Sequence, residues 1–271
     1  MTTFTIKRFQ PEAEDAPRWQ TYDVDTDTSM TILQALIAIR ETRDATLSWR
    51  SSCRMGVCGS CAMVINGEPK LACNTRVHDV DEESIKLEPL WNFEVVKDLV
   101  ADIHPALEHH AKLKPFIIRD DEKELAAIDA ELEQSSAEHL DYMQFSYCMK
   151  CCACVAACPT VAMSEAFPGP MPLAAAYRYS ADSRDDGFEQ RKALLEQHDS
   201  LPHCHYAGEC SRVCPRGVDP AKAIQLMKRE LVMDLFRARK RRPAQPVQAD
   251  LSPPAELDEG LRPPAYTLLE D

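Results

Sequence analysis

The twelve cysteines of this chain fall in three blocks, and those blocks constrain its backbone more tightly than any hydrophobic pattern does. The first is Cys53-x4-Cys58-x2-Cys61, with Cys73 following after eleven intervening residues. The second is Cys148-x2-Cys151-x2-Cys154-x3-Cys158-Pro159, with Cys152 inside it. The third, Cys204-x5-Cys210-x3-Cys214-Pro215, repeats the second with Ala207 where its second cysteine should stand. The opening residues Met1 to Arg8 contain no apolar signal core, and Glu12, Glu14 and Asp15 disfavour a transit peptide, so a reducing compartment is expected. In such a compartment, thiols at these spacings serve as metal ligands rather than as disulfide partners.

The first block has the plant-type spacing for a 2Fe-2S cluster. Three thiolates must wrap a compact anion in a short loop whose amides point at the sulfurs, and Gly56 and Gly59 supply the unusual dihedrals for that wrap. Cys73, expected on a returning hairpin strand, brings the fourth ligand. Zinc sites instead pair two Cys-x-x-Cys knuckles, a pattern this block lacks. The second and third blocks form one unit, because in two-cluster ferredoxins the fourth cysteine of each run ligates the other cluster. Cys148, Cys151, Cys154 and Cys214 then complete a 4Fe-4S cluster. Cys158, Cys204 and Cys210 make only three ligands; a methyl group at Ala207 cannot bind iron, so the expected product is a 3Fe-4S cluster. Cys152 is left over and reads as a small apolar filler, with a substitute ligand or a redox thiol as the alternatives.

The surrounding pattern indicates two domains in 271 residues. Alternating segments at Thr3 to Phe9 and Trp19 to Val24 read as strands. A helix capped by Ser29 follows, with Ile32, Leu33, Leu36 and Ile37 as its apolar stripe. Ala62 to Ile65 and Lys70 to Cys73 flank Asn66-Gly67, the strongest hairpin signal in the chain, and Ile85 and Leu87 offer another strand. From Phe93 the period becomes helical, and Glu122 to Glu133 reads as an acidic solvated helix. The best-marked helix of the second half has Asp219 as N-cap, Pro220 in its first turn and Ile224, Met227, Leu231 and Leu235 on one face. Arg237, Arg239, Lys240, Arg241 and Arg242 close it and complement the helix dipole, with attraction to an anionic membrane surface as a further reading. The segment beyond is proline-rich and is expected to be extended or disordered. The formal net charge of −13, from 31 Lys+Arg and 44 Asp+Glu, argues against a general nucleic-acid binder. No apolar run is long enough to span a bilayer.

Three clusters of different type, with no G-x-G-x-x-G fingerprint and no P-loop, describe an electron wire whose organic chemistry belongs to partners. Several segments together resemble the iron-sulfur subunits of succinate dehydrogenases and fumarate reductases. They are Cys53-Arg54-Met55-Gly56-Val57-Cys58-Gly59-Ser60-Cys61, Pro69-Lys70-Leu71-Ala72-Cys73, the two ferredoxin runs, Tyr177-Arg178-Tyr179 with Asp182-Ser183-Arg184-Asp185, and Cys214-Pro215-Arg216-Gly217-Val218-Asp219-Pro220. The resemblance implies an α+β chain: a β-grasp plant-type ferredoxin domain over residues 1–105, an all-α bacterial-ferredoxin-like domain over 106–240, and a tail over 241–271. It implies an FAD-containing partner that interconverts succinate and fumarate, and membrane anchor subunits, with or without haem, that hold the chain peripherally at the cytoplasmic face of the membrane. In the family the three-iron cluster lies nearest the quinone, which makes Pro159, Thr160, Met163, His205 and Lys228 the quinone candidates. Many succinate dehydrogenases carry Trp at the position of Met163; fumarate reductases lack it and use a lysine at the position of Lys228, a pattern that leans towards menaquinone. Taken alone, His205 also fits a loop hydrogen-bonding residue and Lys228 a solvated charge. Two rival readings are a relay for a different flavoprotein and a non-enzymatic sensor with structural clusters.

Overall fold

The structure is a computed structural model that describes residues 1–81, 83–120, 130–236, 238 and 246–248. The N-terminal region is built on strands β1 (Thr2–Arg8), β2 (Arg18–Val24), β3 (Ala62–Ile65), β4 (Glu68–Leu71) and β5 (Ser84–Glu88), with helix α1 (Ile32–Thr42) among them. The sheet order is β2-β1-β5-β3-β4, and β1 and β5 run parallel while the other pairs are antiparallel. This mixed sheet covered by one helix is the expected β-grasp. Side chains alternate along β1, so Thr2, Phe4, Ile6 and Arg8 all turn inward. Phe4 and Ile6 meet Leu36, Ile39, Ile85 and Leu87, and Cys61 and Cys73 belong to the same core.

Arg8 ends that buried row and carries its charge inside because it is paired. Its guanidinium donates to Asp98 at 2.9 Å, Asp44 at 2.5 Å, Tyr22 at 2.5 Å and Thr46 at 2.9 Å. Asp98 also accepts from the amides of Phe9 at 3.1 Å and Ser48 at 2.9 Å. That network explains one departure from expectation. The chain after Phe93 does not turn helical at once but forms a hairpin, β6 (Val95–Lys97) and β7 (Val100–Ala101). Asp98 sits at its turn with φ +48°, held there by Arg8, and the β-branched Val95, Val96 and Val100 suit strands. The helical period starts at α2 (His104–Lys112), with Pro105 in its first turn. The cap of α1 also differs: Thr31, not Ser29, forms a capping box with Gln34, while Ser29 donates to Asp27 at 2.6 Å. Ile37 is only half-buried, and Ala35 and Ile39 complete the stripe.

The C-terminal region begins with β8 (Ala130–Leu132) and continues through α3 (Ser136–Ser146), α4 (Ala153–Ala156), α5 (Pro159–Met163), α6 (Pro170–Ser180), α7 (Phe188–Leu195), α8 (Glu209–Arg212) and α9 (Pro220–Leu235). Helix α6 is the central element and packs against α2, α3 and α9. Its Leu173, Ala176 and Tyr177 join Phe145, Phe167, Leu195, Ile224 and Met227 in a second core. Arg191 is fully buried; it pairs with both oxygens of Asp185, at 2.6 and 3.0 Å, and donates to the carbonyls of Lys114 and Phe116. Asp219 caps α9 as expected, accepting from the Lys222 amide at 2.9 Å. The apolar stripe of α9 outruns the core: Ile224 and Met227 are buried, whereas Leu231 is half-buried and Leu235 is 77% exposed beside Val232 and Phe236.

Of the acidic stretch Glu122 to Glu133, the part before Ala130 lies outside the described residues, and Ala130–Leu132 pairs with β9 (Pro246–Gln248) as a strand instead of continuing a helix. Arg237, Arg239, Lys240, Arg241 and Arg242 also lie outside the described residues, as does the tail apart from β9. Among the described residues no helix is long and apolar enough to cross a membrane.

Candidate metal centres

The first cysteine block forms an amide-lined loop. Gly56 and Gly59 take φ of +71° and +75°, which turns the intervening amides inward. The Cys53 sulfur accepts from the amides of Met55, Val57 and Cys58 at 3.5, 3.3 and 3.2 Å. Cys58 accepts from Cys53 N–H at 3.4 Å, Cys61 from Cys73 N–H at 3.4 Å, and Cys73 from Gly56 N–H at 3.2 Å. All four sulfurs therefore face donors, as negative sulfur requires. Cys73 lies not on the hairpin strand but in the 3-10 turn Ala72–Asn74 that follows β4. The turn Asn66-Gly67 is as expected, with φ +46° and +78°. The Ser60 hydroxyl, aided by the amides of Cys53 and Ser60, draws the Cys58 thiol down to about 6, while burial pushes Cys61 up to about 12. Met55 and Val57 of this loop are exposed, and a groove of about 840 Å³ is lined by Arg40, Glu41, Trp49, Arg50 and Arg54.

Cys148, Cys151, Cys154 and Cys214 line one narrow apolar cavity under Pro215 and Met171, and Cys152 lies at its wall. Here Cys151 feels the charge of Cys148 and Cys214, and Cys154 that of Cys151, Cys148, Cys152 and also Cys210. Cys210 feels Cys158 and Cys204 in the same way. Burial raises these thiols, Cys151 and Cys210 to about 11 and Cys154 well above the ordinary range. A thiol so placed keeps its proton unless a metal cation replaces it, so sites this dry and sulfur-lined suit iron. Cys152 is 1% exposed and raised to about 12 by burial, which fits a filler. Ala207 stands on an exposed turn between Tyr206 at φ +59° and Gly208 at φ +79°.

Two of the quinone candidates, Thr160 and Lys228, touch Cys158 and Cys204. The Thr160 hydroxyl is buried against the Cys158 sulfur, and Lys228 Nζ donates to the Cys204 carbonyl at 3.0 Å. Pro159 and His205 are exposed, His205 meets the His203 ring edge-on at 5.5 Å, and Met163 is 83% exposed.

Two features escape the motifs. The Asn92 amide, on a residue at φ +64°, donates to the carbonyls of Val155, Ala156 and Cys158 at 3.0, 3.0 and 3.2 Å, closing the end of the turn that carries Cys154 and Cys158. Gly59 abuts Cys151 across the two regions. Neither has a local signal; both arise from chain segments far apart in sequence.

A family model described as a 2Fe-2S iron-sulfur cluster binding domain matches residues 3–108, and one described as a 4Fe-4S dicluster domain matches residues 144–218. The fumarate reductase iron-sulfur subunit of Mycobacterium tuberculosis is 43% identical over 82% of this chain and 90% of its own length. That of Haemophilus influenzae is 38% identical over 84% of this chain and 92% of its own. The mitochondrial succinate dehydrogenase [ubiquinone] iron-sulfur subunit of Candida glabrata is 35% identical over 86% of this chain and 92% of its own. In fold, the chain is similar to one from the Mycobacterium smegmatis Sdh1 complex in the apo form, with a TM-score of 0.73 at 24% identity, covering 87% of this chain and 97% of that one.

Proposed function

From the premise that this chain belongs to the iron-sulfur subunits of fumarate reductases and succinate dehydrogenases, we propose that it relays single electrons between the flavin of a succinate/fumarate-converting subunit and a membrane quinone. The 2Fe-2S site is held by Cys53, Cys58, Cys61 and Cys73, the 4Fe-4S site by Cys148, Cys151, Cys154 and Cys214, and the 3Fe-4S site by Cys158, Cys204 and Cys210. Bound clusters supply one-electron oxidation and reduction. The residues of the chain do the rest: amides and the Ser60 hydroxyl stabilise charge on the first sulfurs, and buried walls exclude water from the other two sets.

One observation supports this reading: Cys148, Cys151 and Cys154 of the second block share a cavity with Cys214 of the third, while Cys210 feels the charge of Cys158 and Cys204, as alternating ligation would require. The ends of the relay differ in character. The first loop borders a groove in which Arg40, Arg50 and Arg54 outnumber Glu41, a cationic surface that suits a flavoprotein. In the C-terminal region Met163, Leu235 and Phe236 are exposed, apolar residues that suit membrane anchor subunits at the cytoplasmic face. Pro159, Thr160, Met163, His205 and Lys228 form the quinone-facing side, and Met163 in place of Trp together with a lysine at position 228 leans towards menaquinone as the acceptor, as the family resemblance implies.

The test is to tag the chain, solubilise native membranes gently, recover the complex and measure succinate-driven quinone reduction. Co-purification of a flavoprotein with malonate-sensitive turnover supports the proposal. A Lys228→Ala complex should then lose quinone turnover while succinate-to-dye transfer continues. A different flavoprotein without succinate activity would overturn the substrate assignment.

A further inference from the structure

Gly59 lies between two thiols of the first set, Cys58 and Cys61, and faces the second set directly. A Cβ built on it would stand 2.7 Å from the Cys151 Cβ, 3.0 Å from its Cα and 3.3 Å from its amide nitrogen. The first two of these contacts involve no flexible side-chain end that could give way. Cys151 is presented to this contact by an unusual backbone: its neighbours Lys150 and Cys152 both adopt left-handed conformations, at φ +57° and +63°. It also divides its loyalties, because it packs against the N-terminal core while its cavity partners Cys148, Cys154 and Cys214 lie in the C-terminal region. A cavity of about 130 Å³ flanks the contact, with Arg50, Ser60 and Lys150 on its wall.

We propose that the Gly59–Cys151 contact is the electron junction between the two halves of the chain, and that Gly59 is a positioning residue that sets the gap. With clusters bound, the one held by Cys53, Cys58, Cys61 and Cys73 would be oxidised by one electron and the one held by Cys148, Cys151, Cys154 and Cys214 reduced by it, and the Gly59 backbone and the Cys151 side chain would be the shortest protein bridge between them. No bond forms or breaks and no proton moves. The absence of a side chain at Gly59 is what lets backbone meet backbone there. The inference rests on the cluster assignment of the preceding section but not on the identity of the flavoprotein or quinone.

The test uses the intact complex reduced with dithionite, so that its outcome does not depend on succinate or quinone. Gly59→Ala is compared with Gly67→Ala, which carries the same kind of positive-φ strain in the neighbouring hairpin turn but whose Cβ would meet nothing within 4 Å. The readouts are the relaxation enhancement of the reduced 2Fe-2S resonance by the reduced 4Fe-4S cluster, and the rate at which the second cluster follows the first in rapid-freeze experiments. Gly59→Ala should weaken the magnetic interaction and slow the transfer several-fold, with Gly67→Ala close to the parent. Gly59→Ala with parental coupling and rate would overturn the proposal, as would an equal change in both variants. Should Gly59→Ala alone lose its first cluster, amide hydrogen exchange decides: faster exchange at Lys150 and Cys151 supports the contact, and unchanged exchange there overturns it. A parent complex without relaxation enhancement would overturn it as well.

Discussion

Replacing Asn92 should loosen the turn that joins the two C-terminal ligand sets. Its side-chain nitrogen has two hydrogens and three acceptors, the carbonyls at the end of α4, at 3.0, 3.0 and 3.2 Å. A one-turn helix has almost no internal hydrogen bonding, so these donations are a large part of what fixes Cys154 and Cys158 relative to each other. Asn92→Gly keeps the φ +64° backbone without strain and removes only the donations. At about 0.5–1.5 kcal/mol net for each hydrogen bond, and with water able to reach part of the site, the local loss is about 1 to 2 kcal/mol. That corresponds to an increase of about 5- to 30-fold in transient opening. Asn92→Asp should be worse than Asn92→Gly, because it points a carboxylate at three carbonyl oxygens. Amide exchange at Val155 to Cys158 and the rate of iron loss to a chelator measure the effect. Parental exchange and iron retention in Asn92→Gly, or a milder effect for Asn92→Asp than for Asn92→Gly, would refute the reasoning.

Other substitutions probe separate parts of the account. Ser60→Ala removes the hydroxyl that most lowers the Cys58 thiol; if that interaction strengthens by about 1 kcal/mol on reduction, the first cluster's potential should fall by about 40 mV in a redox titration. An unchanged potential would mean the amides alone set it. Ala207→Cys restores the missing position of the third block and should convert the three-iron signal into that of a four-iron cluster; unchanged iron content and spectra would count against the three-thiol assignment. Asp98→Asn withdraws the charge that faces buried Arg8, at a cost of about 3 kcal/mol or more. Thermal loss of the first cluster's absorbance should then occur at markedly lower temperature, and a parental melting profile would show that Asp44 alone suffices to hold Arg8.

The chemistry of the chain was legible because ligand spacing is a local property. Three thiols within Cys53 to Cys61 must share one loop, and the vacancy at Ala207 is visible without coordinates. Asn66-Gly67 and Asp219-Pro220 were equally readable, since each acts through its own backbone. What could not be read was set by distant partners. The hairpin at Val95 to Ala101 forms where Asp98 is captured by Arg8, ninety residues earlier in the chain. Thr31 displaces Ser29 as a cap because Gln34 can close the box and Asp27 already holds Ser29. Leu235 follows the period of α9 but lies beyond the last helix able to cover it. Cys73 reads as the end of the returning strand but lies in the 3-10 turn that follows it. Asn92 and the Gly59–Cys151 contact carry no motif at all, because each is an encounter between the two halves of the chain.

The central claim, a relay of two-, four- and three-iron sites assembled by alternating cysteines, is tested most directly by electron paramagnetic resonance of the intact complex during a redox titration, with iron and sulfide quantified on the same sample. The account predicts two signals that grow on reduction, from the 2Fe-2S and 4Fe-4S sites, and one that is present when oxidised and disappears on reduction, from the 3Fe-4S site. A second four-iron signal in place of the three-iron one, with iron content to match, would contradict it.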